Sequence, residues 1–399
     1  MPSGSDLAAD LAGAAPGARF CLAPGTYTGP LKLDGVVVWG PRDAVIQSTG
    51  HGTTVWLEGE DAALLGVTVD GSGGRFDLLD SAVHVAGSGA RVEGVAIRNA
   101  AFGILVEQAQ RATLRDNEVL GDASRSLGLR GDSIRLWEAY ECEVEGNRVR
   151  DGRDVVLWYA SRNRVVDNTI EGGRYGAHLM YSHDNQIEGN RFLRNVAGLF
   201  LMYSRKVTLR DNVFAGSGGA AGLGLGLKES GDVVAADNAF VHNTVALYID
   251  TSPLWPDDRN RFERNSFRLN EVAVSFLGPS AGNAFVDNEF FDSRVQVQVD
   301  GHGDARQAEW HGNFFDDYAG YDLDGDGVGD VPYELRSLTA DLVAARPELG
   351  FYRGTLALSL VEAIGRIVPL FEPRLVLIDP APHMRGRRQR SAWEGTRAN

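Results

Sequence analysis

An asparagine recurs nine times between positions 117 and 313, at Asn117, Asn147, Asn168, Asn190, Asn212, Asn238, Asn265, Asn288 and Asn313, with intervals of 30, 21, 22, 22, 26, 27, 23 and 25 residues. Each is followed two residues later by an apolar side chain: Val119, Val149, Ile170, Phe192, Phe214, Phe240, Phe267, Phe290 or Phe315. A period of 20 to 30 residues is the mark of a solenoid, in which each repeat buries its apolar face only against its neighbours. Within a period the apolar residues alternate singly, as in Ile134 and Leu136, which is strand spacing, and the gaps are filled with Gly, Asn, Asp and Ser. Leucine-rich repeats would place Leu where this chain has Val, Phe and Gly, and helical repeats would show a 3.6-residue period. The remaining solution is an all-β chain, a right-handed parallel β-helix of about a dozen coils between Ala23 and Tyr318. An asparagine at the same corner of successive coils can bond its neighbours above and below, satisfying turn amides that stacking alone leaves unpaired.

The 49 glycines fit the many tight turns such a coil needs, being well above the roughly 7% of an ordinary protein. A net charge of −15 argues against nonspecific affinity for nucleic acid or anionic lipid. The longest hydrophobic stretch, Thr355 to Phe371, carries Glu362 and Arg366, so no membrane span is expected. The N-terminus has no basic region followed by an apolar run, so no signal peptide is visible. Cys21 and Cys142 fall several coils apart, too far for a disulfide, and both read as buried thiols. Residues 1–330 read as the β-helix, with a helical cap from Asp6 to Ala14. Residues 331–384 read as a C-terminal segment with apolar residues at helical spacing over Ser337 to Ala345 and Thr355 to Phe371, then an extended Pro-rich stretch from Pro369 to Pro382. Residues 385–399 form an Arg-rich tail expected to be disordered.

Counting back ten residues from five successive corner asparagines gives Trp137, Trp158, Met180, Met202 and Lys228, which fixes a register. Leu136, Leu157, Leu179, Leu201 and Leu227 then fill the adjacent inward row. By strand alternation the Trp/Met row faces outward with the row two before it, Arg135, Val156, His178, Phe200 and Gly226, while Tyr159, Tyr181 and Tyr203 align one step further on. A wall facing water should be polar, so an outward stripe of Trp, Met, Phe and His calls for a cover or a task. One expectation is that the C-terminal helical segment packs there, and another is a partner-protein site. The third is a soft-metal site: thioethers select Cu(I), Met180 and Met202 stack on adjacent coils, His178 shares their face, and His183 lies in the following turn.

Asp322, Asp324, Asp326 and Asp330 stand at positions 1, 3, 5 and 9 of a loop with Gly327 at position 6 and the Val328 carbonyl at 7, the oxygen-rich spacing that wraps Ca²⁺. Tyr333 stands where an EF-hand has its bidentate Glu, and the alternative is an acidic turn without an ion. Parallel β-helices also process polysaccharides with paired acids, but Asp132, Glu138, Asp154 and Asp250 are scattered across rows in this register. His84 and the other histidines outside the stripe are isolated and read as surface or packing residues.

The runs Gly-Asp-Ser-Ile-Arg-Leu-Trp137, Asp-Val-Val-Leu-Trp-Tyr159, His178-Leu-Met-Tyr-Ser-His-Asp-Asn185, Leu-Phe-Leu-Met-Tyr-Ser204, Gly-Leu-Gly-Leu-Lys228 and the acidic loop leading into Pro-Tyr333 resemble the NosD family of copper-site maturation proteins for nitrous-oxide reductase. The resemblance implies a periplasmic, non-enzymatic accessory protein associated with an ABC transporter permease and ATPase, a copper chaperone and apo nitrous-oxide reductase. On that reading Met180, Met202, His178 and His183 handle Cu(I) transiently. Trp137, Trp158, Phe200, Tyr181, Tyr203 and Lys228 form a docking surface, and Leu360, Ile364 and Ile367 of the C-terminal segment meet the permease. The alternative is a carbohydrate-binding or polysaccharide-processing β-helix.

Overall fold

A computed structural model of the chain describes all residues except 3–5, 301–304, 340–341, 343–345, 353–354, 368–372 and 388–399. Its strands form three parallel walls of 13, 13 and 12 strands, in which each strand pairs with the strand three positions on in the chain, so that every coil adds one strand to each wall. This is the parallel β-helix that the repeat predicts. A short helix α1, Leu7–Ala12, capped by the Asp6 side chain on the Ala9 amide, turns Leu7 and Leu11 onto the first coil.

The corner asparagines are fully buried, and their hydrogen bonds run the length of the solenoid. The amide Nδ2 of Asn168 donates to Asn190 Oδ1 at 2.9 Å and to the Val144 carbonyl at 2.8 Å, while its own Oδ1 accepts from the Asn147 backbone N–H at 2.9 Å. Each asparagine thus satisfies the turn amide of the coil before it, and a carbonyl that the ladder would leave unpaired. Beside this ladder, Phe192, Phe214, Phe240, Phe267, Phe290 and Phe315 form a buried stack with ring centroids 4.9 to 5.1 Å apart.

Both columns end on the C-terminal segment. Tyr333 stacks on Phe315 at 3.9 Å, and Asp379 takes the place of a tenth asparagine beneath Asn313. These two residues belong to an antiparallel pair of strands, Tyr333–Ser337 and Arg374–Asp379. Ser337, read as the start of a helical stretch, therefore closes a strand. The Pro369–Pro382 stretch contributes a strand over Arg374–Asp379, with 369–372 outside the described residues. A second helix, α2, spans Leu356–Ile367, and of the Arg-rich tail only residues 385–387 lie within the described set.

Cys142 is buried and desolvation pushes its thiol up to about 11, but Cys21 is exposed, which corrects the expectation that both are buried. Cys21 ends the edge strand Arg19–Cys21 of the first coil, where one side of the wall has no neighbour to cover it.

Candidate functional site

The outward face of the 12-stranded wall carries the stripe in the register that the asparagine offset predicts. Trp137 pairs with Trp158, Trp158 with Met180, Met180 with Met202, and Met202 with Lys228. One row over, Arg135, Val156, His178, Phe200 and Gly226 align in the same way. The two rows differ in exposure. Trp137, Trp158, Met180, Met202 and Lys228 are half-buried, whereas Val156, His178 and Phe200 are buried although they point away from the core. Tall neighbours on the same wall cover them: the Tyr175 ring lies 4.8 Å from His178 and 6.0 Å from Phe200, and Trp158 meets His178 edge-on at 5.6 Å. The Phe200 ring also lies over Gly226, where a Cβ would come within 2.6 Å of it. Helix α2 leaves Leu356, Leu360 and Ile364 exposed, so those three side chains do not cover the stripe.

At the centre of the stripe His178 joins two neighbours. The Trp158 indole N–H donates to Nδ1 at 3.3 Å, and Nε2 lies 3.2 Å from Met202 Sδ. Desolvation pulls the imidazole's pKa down to about 4, so the ring is neutral at ordinary pH, and both of its nitrogens are engaged by these contacts. A neutral imidazole nitrogen and a thioether sulfur 3.2 Å apart are soft, uncharged donors close enough to touch one ion, with Met180 in the adjacent place of the same row. The donor set therefore fits Cu(I) by its chemistry. His183 is not brought into this group. Its Nδ1 accepts the Arg205 backbone N–H at 3.1 Å, its backbone N–H donates to Ser161 Oγ at 2.9 Å, and the turn holds it at the corner.

Along that corner Tyr159, Tyr181 and Tyr203 adopt the left-handed conformation, at φ of 52°, 50° and 51°, and stack with centroids 5.4 and 4.8 Å apart. Their backbone amides bond the Met180, Met202 and Lys228 carbonyls of the next coil, so the tyrosine ladder is fixed to the methionine row. Trp137 joins the two, 5.7 Å from Trp158 and 5.6 Å from Tyr159, with the Arg135 guanidinium 4.7 Å from its ring.

The same face continues upstream in a way that the asparagine register did not reveal. His84 aligns with Leu105 in the His178 row, stacks on Trp56 at 4.2 Å, and places Nε2 3.3 Å from a Glu107 oxygen. Burial lowers its pKa in spite of Glu107, so it is a packed, neutral ring. The coils before Asn117 lack the corner asparagine that would phase them; Trp56 and His84, each between apolar inward residues at the same outward position of successive coils, are the available signal.

Asp132 and Asp154 are both buried, and they are joined through Arg153, 2.7 Å from Asp132 and 3.4 Å from Asp154, with Arg174 also on Asp154. Both acids are held by guanidinium groups; Asp132 lines a pocket together with Arg125, Arg130 and Ser133, but Asp154 does not line it, so the two are not set across one cleft as a hydrolytic pair is. In the C-terminal loop the structure gathers Asp322, Asp324 and Asp326, whose oxygens lie within 4.8 Å of one another. The loop closes on its own amides: Asp322 accepts from Gly325 and Gly327 at 2.7 and 2.9 Å, Asp326 from Val328 at 2.8 Å, and Asp330 from Leu323 at 2.6 Å. It also clamps the C-terminal segment, through Gly329 N–H to the Pro382 carbonyl and Met384 N–H to the Gly327 carbonyl.

The sequence model of a family described as "Periplasmic copper-binding protein (NosD)" matches residues 121–320, which hold the whole stripe. A "Probable ABC transporter binding protein NosD" of Pseudomonas aeruginosa is 28% identical over 405 aligned residues, covering 88% of this chain and 85% of its own. A protein of the same name from Stutzerimonas stutzeri is 28% identical over 386, covering 89% of this chain and 84% of its own. Among solved structures, the A-module of a mannuronan C-5 epimerase from Azotobacter vinelandii superposes with a TM-score of 0.57 at 16% identity, covering 76% of this chain and 93% of that one; it shares the fold. With half of its length matched by the family's sequence model, and with two relatives aligned over most of it, this chain belongs to the NosD family.

Proposed function

We propose that the protein is a periplasmic, non-enzymatic accessory protein that holds Cu(I) transiently at His178 and Met202, with Met180 beside them, during assembly of the copper sites of nitrous-oxide reductase. The observation that carries this reading is the 3.2 Å approach of His178 Nε2 to Met202 Sδ on an otherwise aromatic wall. Two uncharged donors release a monovalent soft ion more readily than thiolates do, which suits a carrier that passes its cargo on. The aromatic rim of the exposed Tyr159 and Tyr181 and the half-buried Trp137 and Tyr203, next to Lys228, is the docking face for a copper chaperone and the apo-reductase. Residues 331–384 serve as the docking segment for an ABC transporter permease and its ATPase, because helix α2 leaves Leu356, Leu360 and Ile364 in solvent. The acidic loop has a structural task, joining the last coil to that segment.

Anaerobic titration with Cu(I) against a competing chelator tests the reading. Cys21, an exposed thiol, is the competing soft ligand, so the titration is made in a Cys21→Ser background. One equivalent bound, and lost in Met180→Leu/Met202→Leu, supports it; equal weak binding in both proteins contradicts it. Leucine keeps volume and hydrophobicity while removing the sulfur.

A further inference from the structure

We infer that Trp158 is a latch on the metal site, whose indole N–H holds His178 in a tautomer that cannot take an ion at Nε2, so that loading must swing the indole away and reshape the aromatic rim. This rests on the reading of His178 and Met202 as the site of Cu(I) uptake. An indole nitrogen is a donor only, so His178 Nδ1, 3.3 Å from Trp158 Nε1, has to be the acceptor. The neutral ring then carries its proton on Nε2, where it faces Met202 Sδ at 3.2 Å. The resting site is closed by an N–H···S contact.

An imidazole that ligates through one nitrogen carries its proton on the other. Loading at Nε2 therefore removes the proton there, and one is regained from water at Nδ1; the ring's proton count is unchanged. Nδ1–H would then point at the indole N–H, donor against donor, and the Trp158 side chain has to leave. It does not move alone. Its ring packs against Trp137 at 5.7 Å, and one guanidinium, that of Arg135, spans both rings at 4.7 and 5.3 Å. Trp137 in turn touches Tyr159, the first ring of the tyrosine stack. Occupancy of a buried histidine is in this way written onto a half-exposed surface, where a partner can tell the loaded carrier from the empty one.

The test uses the full chain with ¹⁵N-labelled tryptophan and Cys21→Ser, titrated anaerobically with Cu(I) alone. Its seven indole N–H signals are followed by NMR, and Trp158→Phe identifies the one from Trp158. The expected result is that this signal moves in step with the first equivalent, with a smaller shift at Trp137. Trp158→Phe should bind Cu(I) about 3- to 10-fold more tightly, the factor that matches the net worth of one hydrogen bond. Stoichiometric binding with an unmoved Trp158 signal overturns the latch and leaves the copper reading standing, as does weaker binding by Trp158→Phe. No uptake, or uptake unaffected by Met202→Leu, overturns both. The wild-type signal decides the matter even if Trp158→Phe folds poorly, since Trp158→Tyr can supply the identification.

Discussion

Asp379 accepts two hydrogen bonds from Asn313, from the backbone N–H at 2.9 Å and from Nδ2 at 2.8 Å, across 66 residues of sequence. A ladder that passes one acceptor from coil to coil has to end on a residue that gives an acceptor and asks for none. A buried carboxylate does this, and its Oδ1 takes the Ala381 N–H at 3.1 Å. Replacing Asp379 by Ala strands both Asn313 donors, and about 2 kcal/mol of stability should be lost. Asp379→Asn keeps an oxygen for Asn313 and should cost about half as much. Urea unfolding of the two variants measures both effects.

The phenylalanine column runs through the buried core. Phe240 sits within it, 4.9 Å from both Phe214 and Phe267. Phe240→Ala should cost roughly 3 to 5 kcal/mol, since the stacked rings on either side are pinned by their own coils and cannot close the cavity. Thermal and urea denaturation test this, and Phe240→Leu should recover more than half.

Stability should depend on pH through His178. Its pKa is lowered from 6.5 to about 4 by burial, so between those values the unfolded chain takes up a proton that the folded chain refuses. The contribution of the buried neutral ring is complete above pH 6.5 and is lost as pH falls toward 4, by up to about 3 kcal/mol. His84 acts in the same direction, so the comparison is with His178→Gln, which retains His84. The difference in unfolding free energy between the two proteins should shrink on going from pH 7.5 to pH 5.

The two thiols should part cleanly. Cys21 should react with iodoacetamide in the folded protein at pH 8, and Cys142, buried with its pKa pushed up to about 11, should not react until the chain unfolds. Mass spectrometry of the alkylated protein counts the sites.

The Asn-to-Asn interval made the fold and the stripe register legible, because one buried side chain per coil marks the same corner each time. It could not show that Tyr175 and Trp158 would cover His178, since their approach depends on side-chain height above the wall and not on position along it. Nearness in sequence to Met180 groups His183 with the metal ligands, but it lies in the turn beyond the strand, and its Nδ1 serves the Arg205 amide. In the C-terminal segment the Pro-rich stretch reads as extended, but helical spacing from Ser337 hides the strand that ends there. The segment's strands Tyr333–Ser337 and Arg374–Asp379 pair across an intervening helix, a contact that no local pattern encodes.

The central claim is that His178 and Met202 share one ion. X-ray absorption at the copper K-edge, on the Cys21→Ser chain loaded anaerobically with one equivalent of Cu(I), tests it most directly. The account predicts a first shell with imidazole nitrogen and thioether sulfur together, the sulfur diminished in Met202→Leu and the imidazole signature lost in His178→Gln. A shell of nitrogen and oxygen alone, or one unchanged by both substitutions, would contradict it.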